Sequence, residues 1–262
     1  MVNILKSDFY KLSKNKAFWI CTLLSATVAV LVVVAMQAGI NRAMGNVQGG
    51  PITAIMADMV SGAGVLTIAI PMGFHLIFIA VFVSVFVASE FQTGTIKNVL
   101  SRGAGRTEVF FSKFITTIVA SLIMLTAFVL GVIITGTVLW GFDPNNQITI
   151  LGFIIMLSLQ SLTIIAFAAL FTFTSMTLRG TGGAVAANVI SVTMASTLFT
   201  AVSLLLPGDF NLSDYWLEWG VSNLATYAPA SADVIQGIII AVIWGVMSLV
   251  VGAMLFNKQD IN

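Results

Sequence analysis

The sequence predicts an all-α integral membrane protein. It has six transmembrane helices with both termini cytoplasmic, an amphipathic interfacial helix at the start, and a cytoplasmic helix between spans 2 and 3. A re-entrant or interfacial element lies outside, between spans 5 and 6. Three observations carry this. Charged residues make up 8% of the 262 and hydrophobic ones 58%, whereas a soluble domain is roughly 25% charged and needs that polar surface. The charges are spaced so that six uncharged stretches remain: Ala17–Asn41, Met59–Ser89, Phe114–Phe142, Pro144–Leu178, Gly180–Gly208 and Val234–Asn257. Each exceeds the roughly 20 apolar residues that a helix needs to cross a hydrocarbon core of about 30 Å. Finally, ten of the eleven Lys and Arg fall in the segments that alternate crossings place on one side, and only Arg42 falls on the other. By the positive-inside rule the basic side is the cytoplasm.

The elements follow in order. Residues 1–16 carry Lys6, Lys11, Lys14 and Lys16; at 100° per residue Leu5, Phe9 and Leu12 share one arc, with Lys6, Ser13 and Lys14 away from it. That pattern describes a basic helix lying on the inner leaflet. The spans are expected over 17–39, 62–89, 109–140, 148–178, 181–206 and 234–256. They are helices and not barrel strands, because runs such as Val28–Met36 and Ile235–Ile243 are apolar on every face. The first apolar run, about 20 residues, exceeds the usual 7–15 of a signal peptide and reads as a retained span. Pro71 removes a hydrogen bond and is expected to kink the second. The first outer loop, about Ile40–Ser61, is Gly-rich and expected to be irregular at its start. Short loops at Gly141–Gln147 and Arg179–Gly183 make their flanking helices antiparallel neighbours. The outer loop Pro207–Asp233 holds Tyr215, Trp216, Trp219 and Tyr227, amphipathic rings suited to a membrane interface.

The interior is poor in chemistry. No span carries Asp, Glu, Lys or Arg near its middle, which disfavours an ion-driven carrier. His75, Gln160 and Asn188 are the sparse polar candidates for lining a substrate cavity; helix packing is the alternative use of each. The lone His75 cannot form a zinc site, Cys21 is the single cysteine, and no metal set or catalytic constellation stands out. A net charge of +1 makes no electrostatic case for nucleic acid. Gly136, Gly182, Gly183 and Ala184–Ala187 read as close helix packing.

The cytoplasmic loop 90–108 is more informative. Phe91, Thr95 and Val99 recur at i, i+4 and i+8 with Ile96 and Leu100 beside them, which predicts a short helix. Gly103 and Gly105 end it, and Thr107 is placed to cap the third span. The result is a basic, partly apolar knob under the membrane.

Two stretches carry a family resemblance. One is Glu90-Phe91-x-x-Gly94-Thr95-Ile96-Lys97-x-x-Leu100-Ser101, with Arg106 and Ser112-Lys113 following. The other is Leu5-Lys6-x-Asp8-x-Tyr10-Lys11-Leu12, then Lys14-x-Lys16-x-Phe18-Trp19. With the six-span topology, the chain resembles the permease subunits of type-2 ABC exporters, especially small bacterial lantibiotic-immunity and bacitracin-resistance permeases. The resemblance implies that 1–262 is a single transmembrane permease domain in the bacterial cytoplasmic membrane, exporting a hydrophobic or amphipathic substrate such as an antimicrobial peptide. It implies that the loop is a coupling helix seated in a soluble ATPase, with Glu90, Gly94, Thr95, Lys97, Arg102 and Arg106 as coupling residues. Gly94 is expected to permit close approach, and the arginines to offer fork-like donors.

No G-x-x-x-x-G-K-[ST] loop occurs in these residues, so the chain reads as a transport subunit and not an enzyme, with no cofactor of its own. ATP and Mg²⁺ belong to the partner. The resemblance implies an engine with two ATPase subunits, and one large cytoplasmic loop per chain then implies two permease chains, either a second copy or a sister subunit. A channel or ion-coupled carrier without an ATPase is the alternative class; a membrane enzyme built around His75 is another.

Overall fold

The computed structural model describes residues 2–46, 61–143, 148–205 and 211–258. Every regular element among them is helical. Helix α1 (Val2–Lys14) ends at Asn15, whose Oδ1 accepts the amide of Ala17 at 2.8 Å and so caps α2 (Lys16–Asn46). A four-residue helix, α3 (Leu66–Ala69), precedes α4 (Phe74–Gln92). The knob helix α5 (Thr95–Ser101) leads to α6 (Arg106–Trp140) and α7 (Ile150–Leu178). Next come α8 (Thr181–Thr193) and α9 (Ala195–Ser203), a 3₁₀ turn at Leu212–Tyr215, α10 (Leu217–Asn223) and α11 (Ser231–Lys258).

Five helices, α2, α4, α6, α7 and α11, are long and apolar enough to cross a membrane, and the bent pair α8–α9 makes up to six. This is a multi-pass membrane fold. Helix α11 packs along α7 and α2 along α6, while α4 touches α2, α7 and α8. The fully buried rings of Phe82, Phe110, Phe128, Phe167 and Phe171 belong to one hydrophobic core. Leu23, Leu31, Ile134, Ile239, Ile243 and their like stay exposed, as side chains facing lipid do. Small residues set the closest approaches: a Cβ on Gly136 would lie 2.9 Å from the Cα of Gly62, and one on Gly62 would lie 2.6 Å from the backbone nitrogen of Thr137.

Several expectations are corrected. The span predicted over 62–89 is not one kinked helix. Pro71 has no amide to donate and Gly73 turns left-handed at φ 69°, so the chain breaks and α4 starts afresh at Phe74. The span predicted over 181–206 is bent by 56° between Thr193 and Ala195, amid the Ser, Thr and β-branched residues of Ser191–Thr197, which hold a helix poorly. The first outer loop is helical at its start, since α2 continues to Asn46; residues 47–60 lie outside the described residues, as do 144–147 of the third loop and 206–210 of the fifth. The third span begins at Arg106 with Gly105 as its N-cap, and Thr107 already lies inside the helix.

Length explains how the site is carried. At 1.5 Å per residue the 35 residues of α6 extend about 52 Å, well beyond a hydrocarbon core of about 30 Å. Its first two turns hold the helix's charged residues, Arg106, Glu108 and Lys113, at the end where α1, α5 and the close of α4 gather, and the excess length is assigned to that end.

Candidate functional site

The projecting end of α6 carries Ser112 and Lys113, and α1 docks against it. Helix α1 presents Asp8 and Leu12 to the interior, not only an apolar arc to lipid. The hydroxyl of Ser112 donates to Asp8 Oδ2 at 2.7 Å, and Lys113 Nζ donates to Asp8 Oδ1 at 2.7 Å. The same ammonium reaches Glu90 Oε1, at the close of α4, at 2.7 Å, and lies 4.9 Å from the ring centre of Phe86. Lys11 completes the set, donating to Glu90 Oε1 at 3.0 Å and standing 3.8 Å from Asp8 Oδ1. Two carboxylates and two ammoniums thus form one neutral cluster tying three helices together.

Burial ranks its members. The side chain of Lys113 is 1% exposed, Asp8 3%, Glu90 11% and Lys11 34%. Removing one partner from a buried ion pair leaves an uncompensated charge and costs about 3–5 kcal/mol, while an exposed pair contributes about 1 kcal/mol or less. Lys113 is therefore the keystone and Lys11 the outer brace.

The knob hangs from this cluster. Helix α4 runs to Gln92, Gly94 turns at φ 69°, and α5 follows, with Ile96 buried and Val99 and Leu100 packed against the core. Gly94 meets nothing within 4 Å of a notional Cβ; backbone conformation requires the glycine, and close approach does not. Gly103, at φ 86°, ends the helix. Thr95 Oγ1 pairs with Thr93 Oγ1 at 2.9 Å across the turn. Lys97 and Arg102 point outward and make no hydrogen bond or ion pair among the described residues. Arg106 is committed within the chain: its guanidinium donates to the carbonyls of Asn257 at 3.1 Å and Phe256 at 3.4 Å, at the close of α11. Of the two arginines expected to face a partner, the structure leaves Arg102 exposed.

Two clefts flank the Lys11–Glu90 bridge. One, of about 390 Å³, lies between α1, α5 and the start of α6, with Ile4, Val99 and Val109 on its walls, Asp8 and Lys113 at its floor and Arg102 at its rim. The other, of about 380 Å³, lies between the C-terminal half of α1 and the close of α4.

The remaining candidates lie away from this end. Asn188 is a packing node: its amide donates to Ser84 Oγ at 2.8 Å, Ser175 Oγ at 3.2 Å and the Phe171 carbonyl at 3.3 Å, and its Oδ1 accepts from Thr174. It joins α4, α7 and α8, with its amide hydrogens engaged inside the chain. Gln160 donates to the carbonyls of Val221 at 3.2 Å and Gly220 at 3.4 Å, closing the end of α10. His75 is fully buried against the Phe128 ring, 5.0 Å between centroids, and neither ring nitrogen has a hydrogen-bond partner among the described residues. The structure does not bring the three together with the basic cluster.

The aromatic segment expected to lie outside is packed rather than loose. Trp216, Leu217 and Val221 are buried, Trp244 Nε1 donates to the Tyr215 carbonyl at 2.8 Å, and the Tyr227 hydroxyl donates to the Ala63 carbonyl at 2.5 Å. Burial, and then the Asp143 charge, push the Tyr227 phenol far above its ordinary range.

Sequence reasoning included Asp8, Lys11, Ser112 and Lys113 in its motifs without giving them a role. A signal was present: Asp8 is the single acid among four lysines and sits at −60° on the wheel, beside the Leu5–Phe9–Leu12 arc. Lys113 is the last charge before a long uncharged run. A charge facing inward needs a counter-charge.

Among the described residues no group of His, Cys, Asp and Glu could hold a metal. Fold and cluster together define a multi-pass helical membrane protein with a charge-locked knob at one end. Residues 30–262 match the family described as Protein of unknown function (DUF2705), and the chain belongs to that family. The matched stretch includes Glu90, Ser112 and Lys113; Asp8 and Lys11 precede it. No curated protein matches the chain.

Proposed function

We propose that the chain is the membrane-spanning permease subunit of an ATP-driven exporter, powered by separate ATPase subunits docked on α5 and its flanking turns. The observation that carries this reading is the convergence of both resemblance motifs on one cluster. Asp8 and Lys11 from the first meet Glu90, Ser112 and Lys113 from the second, directly behind a helix that carries exposed Lys97 and ends at exposed Arg102. A force applied to that helix reaches α4 through Gly94, and α6 and α1 through charge-assisted bonds, which are roughly twice as strong as neutral ones. The basic end then faces the bacterial cytoplasm and the packed aromatic element faces outward. Two ATPase subunits bind ATP and Mg²⁺, two permease chains (a pair of this one or a sister) form the path, and the apolar spans suit a hydrophobic or amphipathic cargo. An antimicrobial peptide, expelled for resistance or self-protection, is the substrate class we assign.

The test is purification of the tagged chain in mild detergent from its own cells, followed by mass spectrometry. A stoichiometric soluble protein carrying a P-loop is expected, and it should be lost from Lys97→Glu/Arg102→Glu, both exposed substitutions that spare the buried cluster. An intact chain repeatedly purified without an ATPase, or one giving substrate flux in ATPase-free liposomes, would replace this reading with a channel or carrier. Deletion that leaves sensitivity to a panel of antimicrobial peptides unchanged would remove the substrate assignment.

A further inference from the structure

The larger cleft at the basic end shares Arg102 with the docking surface, but its apolar wall and its enclosure between helices are features that the docking of an ATPase on α5 does not use. It lies behind that helix, between α1 and α6. Its depth relative to a bilayer follows from its neighbours. The uncharged run of α2 begins at Ala17 and that of α6 at Phe114, one residue past Lys113. Both helices therefore enter the apolar layer at the level of the charged cluster. Exposed Tyr10 and Trp19, amphipathic rings of the kind that settle at headgroup depth, flank the same level. The polar headgroup zones add roughly 10–15 Å to a core of about 30 Å, and the cleft falls in that zone.

Its chemistry has two halves. Ile4, Ile96, Val99 and Val109 supply apolar wall. The charged lining is Asp8, Glu90, Lys11, Lys113 and Arg102. The two acids are already neutralised by the two lysines at 2.7–3.0 Å, so Arg102 leaves the cleft one positive charge in excess. Exposed Lys6 and Lys97 stand on the two helices that bound it. The volume, about 390 Å³, falls in the roughly 300–1,000 Å³ range of small-molecule pockets. A soluble phosphate would satisfy the arginine but leave the apolar wall wet; a neutral lipid would fill the wall but not the charge.

We infer that this cleft binds the headgroup and upper acyl chain of one anionic phospholipid, with its phosphate on Arg102 and its chain along Ile4, Val99 and Val109. Basic pockets between helices at a membrane surface are suited to such headgroups. The lipid wedges α1 against α5 and so makes the seating of the knob depend on membrane composition. This inference rests on the membrane fold and the cleft and does not require the exporter reading.

The experiment is native mass spectrometry of the full chain in detergent, titrated separately with phosphatidylglycerol and phosphatidylcholine of the same acyl chains. One phosphatidylglycerol per chain should be retained at concentrations where phosphatidylcholine is lost. Arg102→Gln, an exposed change, should weaken retention about fivefold, the effect of one basic residue near an anionic headgroup. Ser7→Trp, which fills the cleft from the exposed side of α1, should abolish it, and Lys258→Gln should change nothing. Equal retention of both lipids, equal loss in Lys258→Gln and Arg102→Gln, or full displacement by millimolar inorganic phosphate would overturn the assignment. The measurement contains no ATPase, so its failure leaves the exporter proposal standing, and a failed ATPase co-purification leaves this one standing.

Discussion

Replacing Lys113 by Met tests the buried cluster most directly. The side chain is 1% exposed and its ammonium serves Asp8 and Glu90 at 2.7 Å each. Methionine keeps most of the bulk but loses the ammonium above Phe86 and leaves two buried carboxylates sharing Lys11, so the quartet goes from neutral to one negative charge. Breaking a buried pair in this way costs about 3–5 kcal/mol. At this chain length 1 kcal/mol corresponds to about 2 °C in Tm, so the variant should melt roughly 6–10 °C below wild type in detergent, followed by fluorescence-detected size exclusion. Lys11→Met removes a side chain that is 34% exposed and leaves Lys113 bridging both acids; its cost should be about 1 kcal/mol or less. The double variant Glu90→Gln/Lys113→Met restores neutrality, with Asp8 and Lys11 still 3.8 Å apart, and should recover at least half of the loss. A Lys113→Met protein melting within 2 °C of wild type, or no worse than Lys11→Met, would refute the argument that this cluster is a locked, desolvated unit.

Three further outcomes follow from single residues. Gly94→Ala adds a Cβ that meets nothing but must adopt φ 69°, costing about 1–2 kcal/mol; Gly94→Asn, which tolerates that region, should melt closer to wild type. Gly62→Ala and Gly136→Ala each place a methyl under 3 Å from backbone atoms of the facing segment, and should each cost about 1–3 kcal/mol by overpacking, read as a fall in Tm that smaller lipid-facing changes such as Ile134→Val do not cause. Tyr227→Phe removes a 2.5 Å bond to Ala63, about 1 kcal/mol, and should raise labelling of a cysteine placed at exposed Asn223. Because the folded state holds the phenol protonated above its ordinary range, the stability tied to Tyr227 is intact below about pH 10 and declines as the unfolded phenol ionises above it. In a base titration Tyr227→Phe should therefore be the flatter of the two.

The spans were legible because lipid tolerates few charges, so the charge gaps trace α2, α6, α7 and α11 almost directly. Their interruptions were less so. Pro71 announced a disturbance by lacking an amide, but whether the helix kinks or restarts depends on Gly73 going left-handed, which one glycine among 22 does not advertise. The bend near Met194 has no proline or glycine to mark it. At the basic end, the short α5 followed from periodicity and its end from Gly103, whereas the start of α5 at Gly94 was not read from the sequence; Glu90 stood out as an acid at the close of a span. Its partners did not, because Lys11 lies 79 residues away and Lys113 bonds Asp8 across 105. Which helix ends meet is decided by packing, and no local pattern encodes it. Arg106 shows the same limit: its place among basic residues pointed outward, whereas the close of α11, 150 residues later, supplies its carbonyl partners.

The two ends of the molecule are fastened by different chemistry, and under the proposed function that difference has a direction. At the basic end the ties are ionic and buried, with Lys113 shared between α1 and α4, so the knob, the amphipathic helix and the entry of α6 cannot shift independently without stranding a charge. At the opposite end several of the side-chain ties between elements are neutral hydrogen bonds: Tyr227 to Ala63, Gln160 to the close of α10, Trp244 to Tyr215 and Gln236 to Asp214. Each contributes about 1 kcal/mol net, and none leaves a buried charge when broken. The break at Gly73 and the bend near Met194 lie on α4 and α8–α9, the helices that Asn188 ties to one another at the level of Ser84. A displacement entering at α5 would thus be carried rigidly as far as that node, and yield beyond it where the chain is already interrupted and the bonds are weakest. Under the proposed function, such an arrangement would move the far end of the transport path while keeping the near end coupled to the ATPase.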